Sequence, residues 1–239
     1  MDGSRETGIY NHPAGCREPV LGGIELFKQS ADVGEMAPDF TIRALDNELV
    51  TLSSLPSDRF IVLEFGSITC PVTVLRMHEM ERVALTFDNL GVLFAFIYVR
   101  ESDPGQNYPH HTSFEQKIEH ARKTRDIYGV ARSILVDDLD GTAHLLYGGV
   151  DSMTYVLNKN KLVVYKQYYT DPGLLTDVLW DVAVIGVPTE VSGQPLGEDD
   201  YECVYYEGVR KRPISPRDLA RVLNYNGPEA VASRVNPHP

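Results

Sequence analysis

Long apolar runs, paired cysteines and basic clusters are all scarce in this sequence, and each scarcity excludes something. The longest apolar stretches, such as Val92–Val99, span about eight residues, where about 18 are needed to cross a bilayer. Membrane spanning is therefore excluded as an expectation. Cysteine occurs three times in 239 residues, at Cys16, Cys70 and Cys203. That is too few and too dispersed for a disulfide framework or a zinc site, so no metal is expected and each thiol is judged singly. No Lys/Arg cluster is longer than Arg210-Lys211-Arg212, and 34 acidic against 22 basic residues leave a net charge of −12. A phosphate backbone has nothing to bind, which removes nucleic acid from the expected partners. No basic stretch followed by an apolar run opens the first 25 residues. The expectation is no secretory leader and a reducing cytoplasm.

What is present belongs to a globular protein, with 43% hydrophobic and 23% charged residues. Residues 1–33 are rich in Gly and Pro and read as an irregular arm. Residues 34–183 alternate strand-like and helix-like segments and read as the core domain. Residues 184–239 are again punctuated by Gly and Pro, with one short helix expected from Pro216 to about Leu223 behind Ser215 as N-cap.

Inside the core, Asp39–Ile42 and Leu49–Leu52 read as a strand pair joined around Asp46-Asn47. Phe60–Phe65 and Val92–Val99 read as buried strands. Pro71 opens a helix whose apolar positions follow the 3.6 period. A second helix starts at Ser113, with Gln116 completing a capping-box pair, and ends before Gly129. Further strands follow at Ile134–Val136, Thr154–Leu157 and Leu162–Tyr165, the last two as a hairpin. Asp171 caps a closing helix. This order gives an α/β mixed sheet with helices on both faces.

Chemistry concentrates at Phe65-Gly66-Ser67-Ile68-Thr69-Cys70-Pro71-Val72-Thr73. A cysteine at the end of a buried strand and the start of a helix faces unpaired amides and the positive end of the helix dipole, which favours a thiolate. Pro71 costs no hydrogen bond at the first helical position. Cys70 is thus the expected nucleophile, with a depressed pKa. Thr73 stands where a Cys-x-x-Cys site has its resolving cysteine, so Cys70 needs an external thiol, or a distant one from Cys16 or Cys203. Two other patterns fail on spacing. Asp137-Asp138-Leu139-Asp140-Gly141 lacks the alternation of a calcium loop, and His78-Glu79 has Arg82 where a zinc-protease helix has its second histidine.

The opening Gly34-Glu35-Met36-Ala37-Pro38-Asp39-Phe40, followed by this cysteine, resembles redoxin-type thioredoxin-fold proteins. Phe65-Gly66-Ser67-x-Thr69-Cys70-Pro71, with Tyr98-Val99-Arg100-Glu101 and His111-Thr112-Ser113-Phe114-Glu115, resembles the iodothyronine deiodinase family more closely, over roughly Phe60 to Pro172. In that family a selenocysteine occupies the place of Cys70. The resemblance implies a thioredoxin-like sheet with an added N-terminal β-hairpin. It also implies Cys70 and His111 as catalytic residues, with Ser67, Thr69, Pro71, Thr73, Glu101, Met153 and Thr154 lining the site. Two positions depart from the family pattern. Asp103 stands where a second active-site histidine is found, and Gln167-Tyr168-Tyr169-Thr170 carries no basic residue.

The expected function is a thiol-dependent oxidoreductase with no bound cofactor, acting on a peroxide, a disulfide or another electrophile. Its reductant would be thioredoxin, glutathione or a similar thiol, and a second copy of the chain is a candidate partner. Reductive dehalogenation of an iodinated aromatic is the alternative within the same class. A non-catalytic scaffold that docks a protein partner is the alternative outside it.

Overall fold

In the computed structural model, residues 10–13, 20–185 and 204–205 are described. The sheet is built from β1 (Thr41–Ala44), β2 (Leu49–Thr51), β3 (Phe60–Gly66), β4 (Val92–Tyr98), β5 (Ser133–Val136), β6 (Met153–Leu157), β7 (Val163–Gln167) and β8 (Val204–Tyr205). Their spatial order is β2-β1-β5-β4-β3-β6-β7-β8. The central strands β3, β4 and β5 run parallel, while β6 pairs antiparallel with β3 and β7 antiparallel with β6. β1 and β2 form the antiparallel hairpin expected from the sequence, turning through Asn47 at φ 74°. Among the described residues five α-helices accompany the sheet: α1 (Val20–Gln29), α2 (Pro71–Asp88), α3 (Phe114–Tyr128), α4 (Thr142–Leu146) and α5 (Pro172–Leu179).

Strand alternation divides the core between the two faces. Ile61, Leu63 and Phe65 of β3, with Ala95 and Ile97 of β4, pack against Ile24 and Phe27 of α1 and Ala143 of α4. Val62 and Phe94 point the other way, onto Met80 and Phe87 of α2 and Leu175 and Val178 of α5. Phe96 and Tyr98 continue that second face beneath Ile118 and Ala121 of α3. Glu64 interrupts the apolar run of β3. It pairs with Arg132, which also holds Glu81 of α2 at 2.9 Å.

The helix ends follow their capping chemistry. The Ser113 hydroxyl accepts the Gln116 amide at 3.2 Å, and Gly129 closes α3 in the left-handed region at φ 65°. The Gln116 side chain accepts from the Thr112 amide, one residue before the cap. Asp171 caps α5 by accepting from the Leu174 amide. One expectation is corrected. The first 33 residues are not irregular throughout, because Val20–Gln29 is helical despite Gly22 and Gly23. Burial of Ile24 and Phe27 against the sheet outweighs the weak local propensity. The helix expected at 216–223 lies outside the described residues.

Candidate active site

The site forms where β3 ends. Cys70 is the N-cap of α2 and Pro71 its first residue. The Cys70 amide donates to the Ser67 carbonyl at 3.1 Å, and its carbonyl accepts the Val74 amide at 3.0 Å. This tight turn carries the sulfur from strand to helix. Gly66 is required just before it: a β-carbon there would come within 2.4 Å of Thr73 Oγ1 and 2.6 Å of Thr73 Cγ2. The Thr73 side chain therefore occupies the space beside the strand end. Met153 and Thr154 open β6 opposite Phe65 and Glu64, at the same end of the sheet. The Thr154 hydroxyl bonds to that of Thr170 at 2.7 Å.

The thiol does not titrate as the sequence reading expected. Burial pushes Cys70 up to about 11, with the nearby Asp151 carboxylate adding to the rise. The Thr73 hydroxyl and the amides of Thr73 and Val72 pull the other way without prevailing. With Cys70 only 3% exposed, desolvation of an anion outweighs the helix terminus. At neutral pH the resting residue is a thiol.

Beneath the turn lies a buried polar network centred on Glu101. Thr69 donates to Glu101 Oε2 from its hydroxyl at 2.6 Å and its amide at 3.3 Å. Tyr98 donates its hydroxyl to Oε1 at 2.5 Å, and His111 Nε2 and His120 Nδ1 meet the same oxygen at 3.1 and 2.9 Å. Burial alone would raise the pKa of this carboxyl, but the histidine and Thr69 hydrogen bonds bring it down to about 2. Glu101 is an anion held by hydrogen bonds. Desolvation lowers the pKa of His111, against the pull of Glu101, and keeps its ring neutral at pH 7. The loop after β4 closes over the turn, with the Ser102 amide donating to Ser67 Oγ at 3.2 Å and the Asp103 amide to Thr69 Oγ1 at 3.2 Å. Ser102 and Arg100 both bind Asp151, at 2.9 and 3.2 Å.

Cys70, Ser67, Thr69, Pro71, Thr73, Glu101 and His111 thus belong to one contiguous assembly. His110, by contrast, is half-buried, with its carbonyl accepting from the Gln116 side chain. Sequence reasoning missed His120, Tyr98 and Tyr10. His120 lies on the buried face of α3 with Lys117, Ala121 and Thr124. A helix that turns Lys, His and Thr inward at 3.6 spacing is a detectable sign of a polar interior partner. Tyr10 gives its hydroxyl to His144 Nδ1 at 2.8 Å and lays its ring on Gly141, where a β-carbon would approach it to 2.2 Å. No short-range pattern announces that contact. Cys16 and Cys203 lie outside the described residues.

The iodothyronine deiodinase family matches residues 21–172. Thyroxine 5-deiodinase of Gallus gallus is 27% identical over 152 residues, covering 59% of this chain and 57% of that protein. The Homo sapiens enzyme of the same name is 24% identical over 151 residues, covering 59% and 49%. The chain spans about half the length of these curated relatives. Among solved structures, a conserved protein of Geobacillus kaustophilus superposes with a TM-score of 0.54 at 19% identity, covering 77% of this chain and 94% of that one. The thioredoxin domain of a thiol-disulfide oxidoreductase from Bacteroides vulgatus gives 0.51 at 13% identity, covering 64% and 99%. These likenesses establish a thioredoxin-like fold.

Proposed function

This chain belongs to the iodothyronine deiodinase family, and from that premise we propose a thiol-dependent oxidoreductase that uses Cys70 as its nucleophile. The observation that carries the reading is the position of Cys70 as N-cap of α2, next to Thr69, whose hydroxyl binds the Glu101–His111 network. The resting thiol fits this role. In reducing R–X, the sulfur bonds to X, the R–X bond breaks and the thiol proton ends on R. No net proton removal is needed, so a pKa near 11 keeps the proton available until substrate arrives. His111, neutral and held through Glu101, is the group we assign to moving that proton.

The resulting Cys70–S–X adduct is cleared by external thiols. The first displaces HX and leaves a mixed disulfide, and the second frees the Cys70 thiol and carries off the oxidised pair. The substrate gains two electrons and the thiols lose two. Thr73, in the place of a resolving cysteine, supports an external reductant such as thioredoxin or glutathione. No bound cofactor enters this scheme.

Within this class, reductive dehalogenation is the second reading, favoured by the family match across the whole Cys70 region. Asp103 and the Gln167–Thr170 segment, which differ from the family pattern, favour an electrophile other than an iodothyronine. The test is dithiol consumption by the full chain with a peroxide, a small disulfide and 4-iodophenol in turn, with iodide release followed in the last case. Turnover with one of them, lost in Cys70→Ser, supports the reading. Equal rates in both proteins overturn it.

A further inference from the structure

We infer that Glu101, His111 and His120 form a binding site for a divalent transition-metal ion of the zinc class. One ligand atom from each lies within 4.8 Å of the other two, and all three side chains are buried. The donor set is two imidazole nitrogens and one carboxylate oxygen. It suits Zn²⁺ or Co²⁺ and fits poorly with Ca²⁺ or Mg²⁺, which prefer oxygen. Zinc bonds to such ligands are about 2.0–2.2 Å long, so tetrahedral neighbours sit about 3.4 Å apart. The existing separations of 3.1 Å and 2.9 Å from Glu101 Oε1 need open by only a few tenths of an ångström.

The hydrogen-bond count points the same way. Glu101 receives Tyr98, His111 and His120 on Oε1 and the Thr69 amide and hydroxyl on Oε2. That is five donors, where a carboxylate offers about four lone-pair sites, and three of them crowd one oxygen. A cation at the convergence point takes the two histidine nitrogens off that oxygen and leaves Tyr98 and Thr69 to orient the carboxylate. The two rings are carried by different backbone segments, His120 by α3 and His111 by the loop before it, with centroids 5.1 Å apart. His111 Nδ1 is buried without a hydrogen-bond partner, and in a neutral ring bound to the metal through Nε2 it is the nitrogen that holds the proton. This assignment revises the expectation of no metal, which rested on the scarcity of cysteine. Coordination rests on geometry alone; only its consequence rests on the proposed function, in that a metal-bound His111 has no proton to pass at Nε2.

The test is titration of the reduced, metal-stripped full chain with Co²⁺, read by visible d–d absorption, followed by competition with a chelating dye for Zn²⁺. Uptake of one equivalent without a thiolate-to-cobalt charge-transfer band is expected, unchanged in Cys70→Ser. Loss of a ligand in His120→Asn, which retains a donor toward Glu101, weakens Zn²⁺ binding by about 100-fold or more. A parent chain that takes up no Co²⁺, or takes it up through sulfur, overturns the proposal whether or not the variant folds. Unchanged affinity in a folded His120→Asn also overturns it. Neither readout depends on thiol turnover, so failure here leaves the Cys70 reading standing.

Discussion

Thr69, the residue before Cys70, gives both its hydroxyl and its amide to one oxygen of Glu101, at 2.6 and 3.3 Å. The reactive turn is thereby fastened to the loop after β4 and, through the other oxygen, to α3. Replacing Glu101 by Ala strips the acceptor from Tyr98, His111, His120 and Thr69 at once. Orphaned buried donors cost about 1–3 kcal/mol each, so the variant is expected to lose at least about 3 kcal/mol of stability. Urea unfolding measures this, and a midpoint unchanged from the parent would contradict a structural role for the network.

Gly66 and Thr73 form a second coupled pair. Gly66→Ala forces a β-carbon against the Thr73 side chain and Phe96, which comes to 3.0 Å. Overpacking of this kind costs about 1–3 kcal/mol. Adding Thr73→Ala removes the obstructing atoms and should recover most of the loss. A double-mutant cycle on thermal unfolding checks this, and strict additivity would contradict it.

Thr73→Cys restores a Cys-x-x-Cys turn at α2. The two thiols are expected to close an internal disulfide on oxidation, so that the variant consumes reductant by exchange at one site instead of forming a mixed disulfide. Mass spectra of the peptide that carries positions 70 and 73, taken after oxidised glutathione, distinguish the two. The parent gains glutathione at Cys70, and the variant loses two hydrogens with no adduct. An adduct persisting in the variant would contradict the shared geometry.

His144 and Glu101 each lower stability in acid. Burial holds His144 at about 4, below its ordinary 6.5, so between those values the unfolded chain binds a proton that the folded chain refuses. Stability therefore falls with pH across that window, by about 2 kcal/mol between pH 7 and 5. Glu101, at about 2 against 4.5, extends the decline below pH 4.5 with the same sign. Urea midpoints taken from pH 7 to 4 check this, and His144→Asn should flatten the upper part of the slope. A level profile in the parent would contradict it.

Much of the fold was legible in local signals. The apolar runs at Phe60–Phe65 and Val92–Val99 became β3 and β4, and Ser113, Gly129 and Asp171 marked helix ends that the structure keeps. The strand–Cys70–Pro71–helix junction was legible too, because strand, cap and helix periodicity meet at one point. The charge state of Cys70 was not. The sequence displays the helix terminus that lowers a thiol pKa, but not the tertiary burial that raises it further. His120 escaped for a related reason, since its partner Glu101 is 19 residues away and meets it only after α3 docks. The helicity of Val20–Gln29 likewise comes from the sheet surface it covers and not from its own residues.

The most direct test of Cys70 as the working nucleophile is single-turnover adduct mapping. The reduced full chain is mixed with excess electrophile without reductant, and each cysteine peptide is read by mass spectrometry. The account predicts that the substrate which supports turnover modifies Cys70 at least about tenfold faster than Cys16 or Cys203, with added thiol converting that adduct to a mixed disulfide. Modification spread evenly over the three cysteines, or sparing Cys70, would contradict it.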